Sequence, residues 1–153
     1  MSNAIFNNAD IFSVTDADLE HLCKQAQAAS NGRYRICLHQ SQSDLIQEML
    51  ISMAAHSKLQ PHRRKGTKRT YAIICGKLRL VLFDNIGNLV KTIDMSLKET
   101  RFVRLSCDYY ILPIPIETPL VLHEIAEGPF LAEDDYASWY QDTNYDQYLT
   151  GTK

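Results

Sequence analysis

The first regular pattern in the chain is an apolar stripe at helical spacing. Thr15 stands three residues before Asp18, an arrangement typical of a capping box at a helix N-terminus. Asn31 and Gly32 tolerate a positive φ and indicate the helix end. The pattern predicts a helix over residues 15–30. Its apolar face would consist of Leu19, Leu22, Cys23 and Ala26.

Beyond Gly32 the apolar pattern changes to a period of two, which is typical of half-buried strands. Residues 84–88 have the composition of a hairpin loop, Gly76 indicates a tight turn or bend, and residues 117–119 indicate another turn. Eight strands are predicted, over residues 34–38, 47–53, 70–75, 77–83, 89–94, 100–105, 109–114 and 120–125.

Many short strands after a single helix favour an all-β antiparallel sandwich or barrel. We expect an N-terminal segment over residues 1–14, one domain over 15–140 that includes the helix, and a tail over 141–153. Tyr136, Trp139 and Tyr140 are three and four residues apart, which predicts a short C-terminal helix packed on the barrel. Trp139 and Tyr136 are expected to anchor it.

Composition excludes several classes of protein. The 153 residues carry a formal net charge of −2, which argues against a general nucleic-acid binder. Residues 58–69 hold six Lys or Arg and no acid, but lack the aromatic residues that stack on bases, so we expect a solvated loop. Neither a membrane-spanning apolar run nor a signal-peptide pattern is visible, so we expect a cytoplasmic protein without a membrane partner.

The four cysteines do not form a Cys-x-x-Cys pair, so the spacing predicts neither a zinc ribbon nor a redox motif. Three of them lie in or beside strand-like segments, and we expect the cysteines to be small buried hydrophobic residues in a reducing compartment. A reactive thiol at Cys107 is the alternative.

Several segments together resemble a known family. They are 37–39, 47–51, 61–64 with Arg69 and Gly76, 81–84 with Gly87, and Glu124 with 127–130. The chain is similar over residues 16–140 to the WbuC-type cupin-fold proteins, which are bacterial and often associated with surface-polysaccharide gene clusters. The resemblance implies a jelly-roll barrel, the double-stranded β-helix of cupins, with a site inside its mouth.

The chain departs from the family at the metal ligands. In the resemblance His62 retains the first histidine, whereas Arg64, Arg69 and Tyr110 occupy the positions of a histidine, a glutamate and another histidine. A guanidinium remains protonated and cannot ligate a cation. His62 is thus the one ligand that is kept, and we expect neither a metal nor another cofactor.

Two arginines near one barrel mouth suggest an anion site instead. Residues 62 and 64 have the same parity on a strand. The resemblance implies that Arg69, at the family's glutamate position, faces the same cavity. Both guanidiniums could hold a carboxylate or phosphate while Tyr110 donates a hydrogen bond. Alternatively, both arginines turn to solvent or pair with an internal acid such as Glu124.

Two further histidines lie in strand-like segments. His39 and His123 could line the barrel, although hydrogen-bonded structural roles remain open for both. Glu124 could pair with an arginine or serve as an acid or base.

Three functions follow from these observations. The leading hypothesis is a non-enzymatic, metal-free cupin that binds a small anionic, sugar-derived molecule in the barrel mouth. The second is a metal-independent isomerase or epimerase that uses His62 and Tyr110, by analogy with cupin-fold sugar epimerases. The third is a structural or oligomerisation module, and the resemblance implies a homodimer.

Overall fold

The computed structural model describes residues 3–7, 9–106, 108–130 and 135–150. Cys107, the candidate reactive thiol, lies outside these ranges. The described residues form one α-helix, one 3₁₀ helix and nine strands. In chain order they are β1 (Ala4–Phe6), α1 (Asp16–Ala28), β2 (Arg33–Cys37), β3 (Ile46–Met53), β4 (His62–Arg63), β5 (Arg69–Phe83), β6 (Leu89–Ser96), β7 (Phe102–Leu105), β8 (Tyr110–Glu127), β9 (Asp135–Tyr136) and the 3₁₀ helix Asp142–Tyr148.

The predicted helix is present, and it begins where the sequence indicates. The backbone N–H of Asp18 donates to the Thr15 hydroxyl at 3.3 Å, and the backbone N–H of Thr15 donates to the Asp18 carboxylate at 2.8 Å. The helix ends at Ala28, two residues before the predicted end, and Gly32 takes a φ of +67°. Leu22 and Ala26 are its fully buried residues.

Two long strands organise the barrel. The first half of β5 pairs with the last half of β8, and the last half of β5 pairs with the first half of β8. The order β1-β2-β3-β8-β5-β7 makes one sheet, and β9-β4-β8-β5-β6 makes the other. This sharing of two bent strands is the jelly-roll arrangement that was predicted.

The strand limits correct two predictions. The predicted strands 70–75 and 77–83 belong to one strand, β5, bent at Gly76. The predicted strands 109–114 and 120–125 belong to another, β8, which begins at Tyr110 and bends near Pro119. Gly76 takes a φ of +78°, and a Cβ atom there would lie 2.6 Å from the backbone oxygen of Glu117. Both bends occur at the same level of the two paired strands, so the backbone pairing continues where turns were expected.

Apolar residues fill three regions. Leu78, Leu80, Leu82 and Leu122 belong to the cluster between the two sheets. The α1 helix packs Leu22 on the outside of the first sheet. The C-terminal segment covers the outside of the second sheet with aromatic side chains. Within the described residues, no helix is long and apolar enough to cross a membrane.

The expected burial of cysteines is observed in part. Cys37 is buried, whereas Cys23 and Cys75 are half-buried. Burial raises the pKa of both the Cys37 and the Cys75 thiol. These thiols therefore favour the neutral form, which suits packing better than nucleophilic chemistry.

Candidate functional site

A cavity of about 490 Å³ opens between the inner faces of β2, β3, β5 and β8. This volume lies in the usual range for small-molecule sites. Side-chain alternation sends Arg69 and Tyr71 of β5 inward, and the strand register places Glu124 of β8 opposite Tyr71. The charged and imidazole side chains along the wall are Arg33, Arg35, His39, His62, Arg64, Arg69 and Glu124.

Arg69 is buried at one end of the cavity, with 7% of its surface exposed. Its Nη1 donates to the Tyr71 hydroxyl oxygen at 3.2 Å. Burial raises the pKa of Tyr71, and the Glu124 carboxylate adds to this effect, whereas the charges of Arg69 and Arg64 oppose it. The phenol therefore stays protonated at neutral pH and can donate its own hydrogen bond.

Arg64 and His62 both line the cavity, on the common face that their parity predicts. The Arg64 guanidinium carbon lies 4.3 Å from the centroid of the Phe130 ring. The Nδ1–H of His62 donates to the backbone oxygen of Gln60, with 3.1 Å between the heavy atoms.

His39 also lines the cavity and is 8% exposed. Its Nδ1 lies 2.9 Å from the backbone oxygen and 3.1 Å from the backbone nitrogen of Glu48, and the tautomer decides which of the two hydrogen bonds forms. The Phe6 ring contacts the imidazole edge-on, with 5.5 Å between centroids. These contacts fix the His39 ring, so it serves at least as a structural residue of the wall.

The location of Tyr110 differs from the expectation. Tyr110 pairs with Phe83, and both side chains lie on the outer face of the second sheet, packed with the C-terminal segment. Its hydroxyl donates to Asp135 at 3.1 Å, and Arg63 stacks on its ring at 4.3 Å. The prediction that Tyr110 faces the cavity is wrong, because the neighbouring residue, Ile111, takes the inward side.

His123 also lies outside the cavity. It precedes the inward Glu124, so alternation turns it to the outer face of β8. Its Nε2–H donates to the Glu48 carboxylate at 2.7 Å. The expectation that His123 could line the barrel is therefore corrected, and its hydrogen-bonded structural role is the one observed.

Sequence reasoning missed Arg33 and Arg35 of β2. Both line the cavity, because they share the parity of the buried Cys37. Burial lowers the pKa of Arg33, and the charge of Arg35 lowers it further. The Arg-Tyr-Arg-Ile-Cys pattern carried a signal, but Tyr34 and Ile36 are equally good core residues, so the pattern does not reveal which face is inward.

The residues present do not fit the metal that the cupin fold often holds. Within the described residues, no group of three His, Cys, Asp or Glu side chains could hold an ion. Two of the aligned ligand positions are guanidiniums that line the cavity, and the third, Tyr110, faces the other side of the sheet.

Comparisons with known proteins agree with this fold. A structure of oxalate oxidase matches with a TM-score of 0.54 and 8% identity, over 72% of this chain and 57% of that one. The capsular polysaccharide assembling protein CapF from Staphylococcus aureus matches at 0.53 and 10%, over 61% of this chain and 29% of CapF. A cupin superfamily protein from Desulfitobacterium hafniense matches at 0.52 and 18%, over 69% of this chain and 86% of that one.

The likeness to these structures concerns the fold. This chain spans less than two thirds of both oxalate oxidase and CapF. A search of the curated proteins finds no match.

A family model described as "Domain of unknown function (DUF6016)" matches residues 14–95, which is more than half of the 153-residue chain. The matched range contains α1, β2, β3, β4, β5 and most of β6, and with them all the cavity arginines. The chain therefore belongs to the DUF6016 family, and it has a cupin fold.

Proposed function

We propose that this protein binds a small anionic molecule in its barrel cavity, without a metal ion. Arg64 and Arg69 would hold the anion, since a guanidinium presents several N–H donors to a carboxylate or phosphate. The Tyr71 hydroxyl would donate to the anion the hydrogen bond that was expected from Tyr110.

The charge of the cavity wall is the observation that carries this proposal. The described residues of the lining include four arginines and a single carboxylate, that of Glu124. Like charges gathered in a partly dry cavity repel one another, and an anion lowers the free energy of the folded protein by offsetting that repulsion. A positively charged cavity also excludes cations, which again favours an anion without a metal.

The proposed ligand class has a finer form. The similarity to WbuC-type cupins suggests a bacterial protein and a sugar-derived anion, such as a sugar phosphate. This part of the proposal depends on the resemblance alone, and it can fail while anion binding holds.

Catalysis by His62 and Tyr110 is not part of the proposal. An acid–base pair must reach the same substrate atoms, and these two side chains lie on different faces of the sheet. A homodimer remains a prediction, which light scattering of the purified protein tests directly.

Thermal unfolding with added anions tests the proposal. Phosphate should raise the melting temperature more than chloride does at matched ionic strength, and the gain should grow with concentration as expected for a bound ligand. Glucose 6-phosphate against inorganic phosphate tests the sugar-derived class. Equal effects of phosphate and chloride would contradict the proposed site.

Three variants locate the effect. Arg64→Gln and Arg69→Gln should each remove most of the phosphate-specific gain, and Arg69→Glu should abolish it because it adds a carboxylate to the cavity. Arg104→Gln is the matched control. Arg104 is exposed on β7, so this substitution removes the same charge outside the cavity. Arg64 is less buried than Arg69, so Arg64→Gln keeps the test valid if Arg69 variants fold poorly.

A further inference from the structure

Arg33 and Arg35 form a second cationic cluster, displaced along the strands from Arg69. Arg35 pairs with Ile51 of β3, whereas Arg69 shares a row with Ala126 and, through it, Gln47. Gln47 and Ile51 are four residues apart on one strand, a shift of about 13 Å at roughly 3.3 Å per residue. The cavity therefore has cationic groups at two separate levels.

The Arg33 side chain has unused hydrogen-bonding capacity. Its Nε is buried and has no hydrogen-bond partner among the described residues. Arg35, Asn31 and Asn3 also line this part of the cavity, and the Asn3 amide donates to the Asn31 side-chain oxygen at 3.0 Å. Buried polar groups in native proteins normally have a partner, so an unsatisfied guanidinium N–H indicates a place for an acceptor.

The wall between the two clusters has an apolar side and a polar side. Met49 and Ile51 of β3 and Leu122 of β8 point inward between the rows of Arg69 and Arg33. The Glu124 carboxylate and the Tyr71 hydroxyl lie in the same row as Met49, and both can hydrogen-bond to a polar part of the ligand. An apolar part of the ligand lying against the apolar side would be stabilised by burial.

We propose that the ligand is an elongated dianion: one anionic group lies at Arg64 and Arg69, a second lies at Arg33 and Arg35, and the rest of the ligand spans the rows between them. This inference rests on the proposed function, because it takes the first anion site as given. It narrows the ligand from any small anion to a molecule with anionic groups at both ends.

A comparison of carboxylates tests the dianion. Suberate carries a carboxylate at each end of an apolar chain, octanoate carries one on a chain of the same length, and succinate carries two that are close together. By calorimetric titration, suberate should bind with a dissociation constant at least about tenfold lower than those of octanoate and succinate. The two weaker ligands should resemble each other, since each would occupy one cluster.

Variants separate the two subsites. The double variant Arg33→Gln, Arg35→Gln should weaken suberate binding to the level of octanoate, and it should weaken phosphate binding less than Arg64→Gln does, because Arg64 and Arg69 are kept. Arg33→Gln alone is the milder form if the double variant folds poorly, and Arg104→Gln again controls for net charge.

The outcomes are distinguishable. If phosphate and octanoate bind but suberate binds no more tightly, the second subsite is refuted and the proposed function remains. If the double variant leaves the preference for suberate intact, Arg33 and Arg35 do not form the subsite. If none of these anions binds, both the inference and the proposed function fail.

Discussion

The Arg79 side chain joins three parts of the chain: its own strand β5, the strand β6 and the C-terminal segment. Its Nε and Nη2 donate to the two carboxylate oxygens of Asp94 on β6 at 2.6 and 2.8 Å. Its Nη1 donates to the backbone oxygens of Tyr148 and Leu149 at 3.0 and 2.9 Å. The bidentate pair with Asp94 orients the guanidinium, and the Nη1 hydrogen bonds hold the C-terminal segment against the second sheet.

Asp94→Asn should lower the free energy of unfolding at neutral pH. It should also remove part of the decrease in that free energy at acid pH. The hydrogen bonds from Arg79 hold the pKa of Asp94 below its usual value of 3.8. Its stabilising effect is therefore fully present above that value and is lost as the pH falls through the lowered pKa. We expect a cost of about 1 kcal/mol at pH 7, given the partial exposure of the pair.

Urea unfolding of wild type and Asp94→Asn from pH 7 down to pH 2 measures this effect. The two curves of unfolding free energy should converge at the acid end, whereas exposed Asp10→Asn should follow wild type throughout. A difference that persists unchanged at pH 2 would mean that the Asp94 charge is not its source.

At single positions, the alternation of side chains along a strand decides what could be predicted from the sequence. Alternation correctly put His62 and Arg64 on one face, because consecutive strand residues point to opposite sides. By the same rule, an alignment that is offset by one residue places a side chain on the wrong face of the strand. This is why Tyr110 was expected in the cavity although it lies on the outer surface. The inward direction of Arg33 depends on which face of β2 is covered by α1, a tertiary contact that local sequence does not contain.

At the level of elements, the bend in β5 and β8 shapes the cavity. The bend divides each strand between two sheets, and Gly76 allows the backbones to approach closely at this point. A side chain at Gly76 would meet the backbone oxygens of Pro119 and Glu117. Backbone atoms cannot move aside as a flexible side chain would.

Gly76→Ala should therefore destabilise the protein by roughly 3 kcal/mol or more, from a left-handed backbone and steric overlap together. Gly66→Ala is the matched control, since Gly66 has a φ of +69° but no atom of the described residues within 4 Å of its added Cβ. It should cost only about 1–2 kcal/mol. Equal losses in denaturant unfolding would show that the approach at Gly76 is not tight.

The C-terminal segment is held by aromatic packing. The Trp139 ring lies 5.1 Å from Phe83 and 5.8 Å from Tyr110, measured between centroids. Tyr140 and Tyr145 are buried in the same cluster. Tyr136, the other expected anchor, is 54% exposed, so that expectation is wrong for this residue.

Trp139→Ala should lower the unfolding free energy by about 3 kcal/mol, because a large aromatic contact is lost. Tyr136→Ala should change it by less than about 1 kcal/mol, since the side chain is mostly in solvent. Thermal unfolding of the two variants compares them under identical conditions. Matching melting temperatures would contradict the packing described for the segment.

The sequence predicted most long elements and missed the short ones. The helix and the strands with several alternating residues were found, because periodicity needs length to be visible. β1, β4 and β9 have three, two and two residues, too few to show any period. The bends in β5 and β8 carry the same Gly and Pro signals as turns, so local sequence could not distinguish them.

At the scale of the whole molecule, the positive charges are unevenly distributed. The chain has a net charge of −2, yet four arginines line one cavity. A nearly neutral protein can thus gather several positive side chains around one cavity, because overall charge says nothing about placement. This is why composition argues against a general nucleic-acid binder and could not reveal the arginines that line the cavity.

A crystal structure of the protein soaked in selenate tests the central claim most directly. Selenate has the shape of sulfate, and selenium scatters anomalously, so its position can be determined independently of the protein model. We predict an anomalous peak inside the cavity, within hydrogen-bond distance of Arg64 and Arg69, that is absent from the Arg64→Gln variant. Anomalous peaks at the outer surface alone, with none in the cavity, would contradict the anion-binding function.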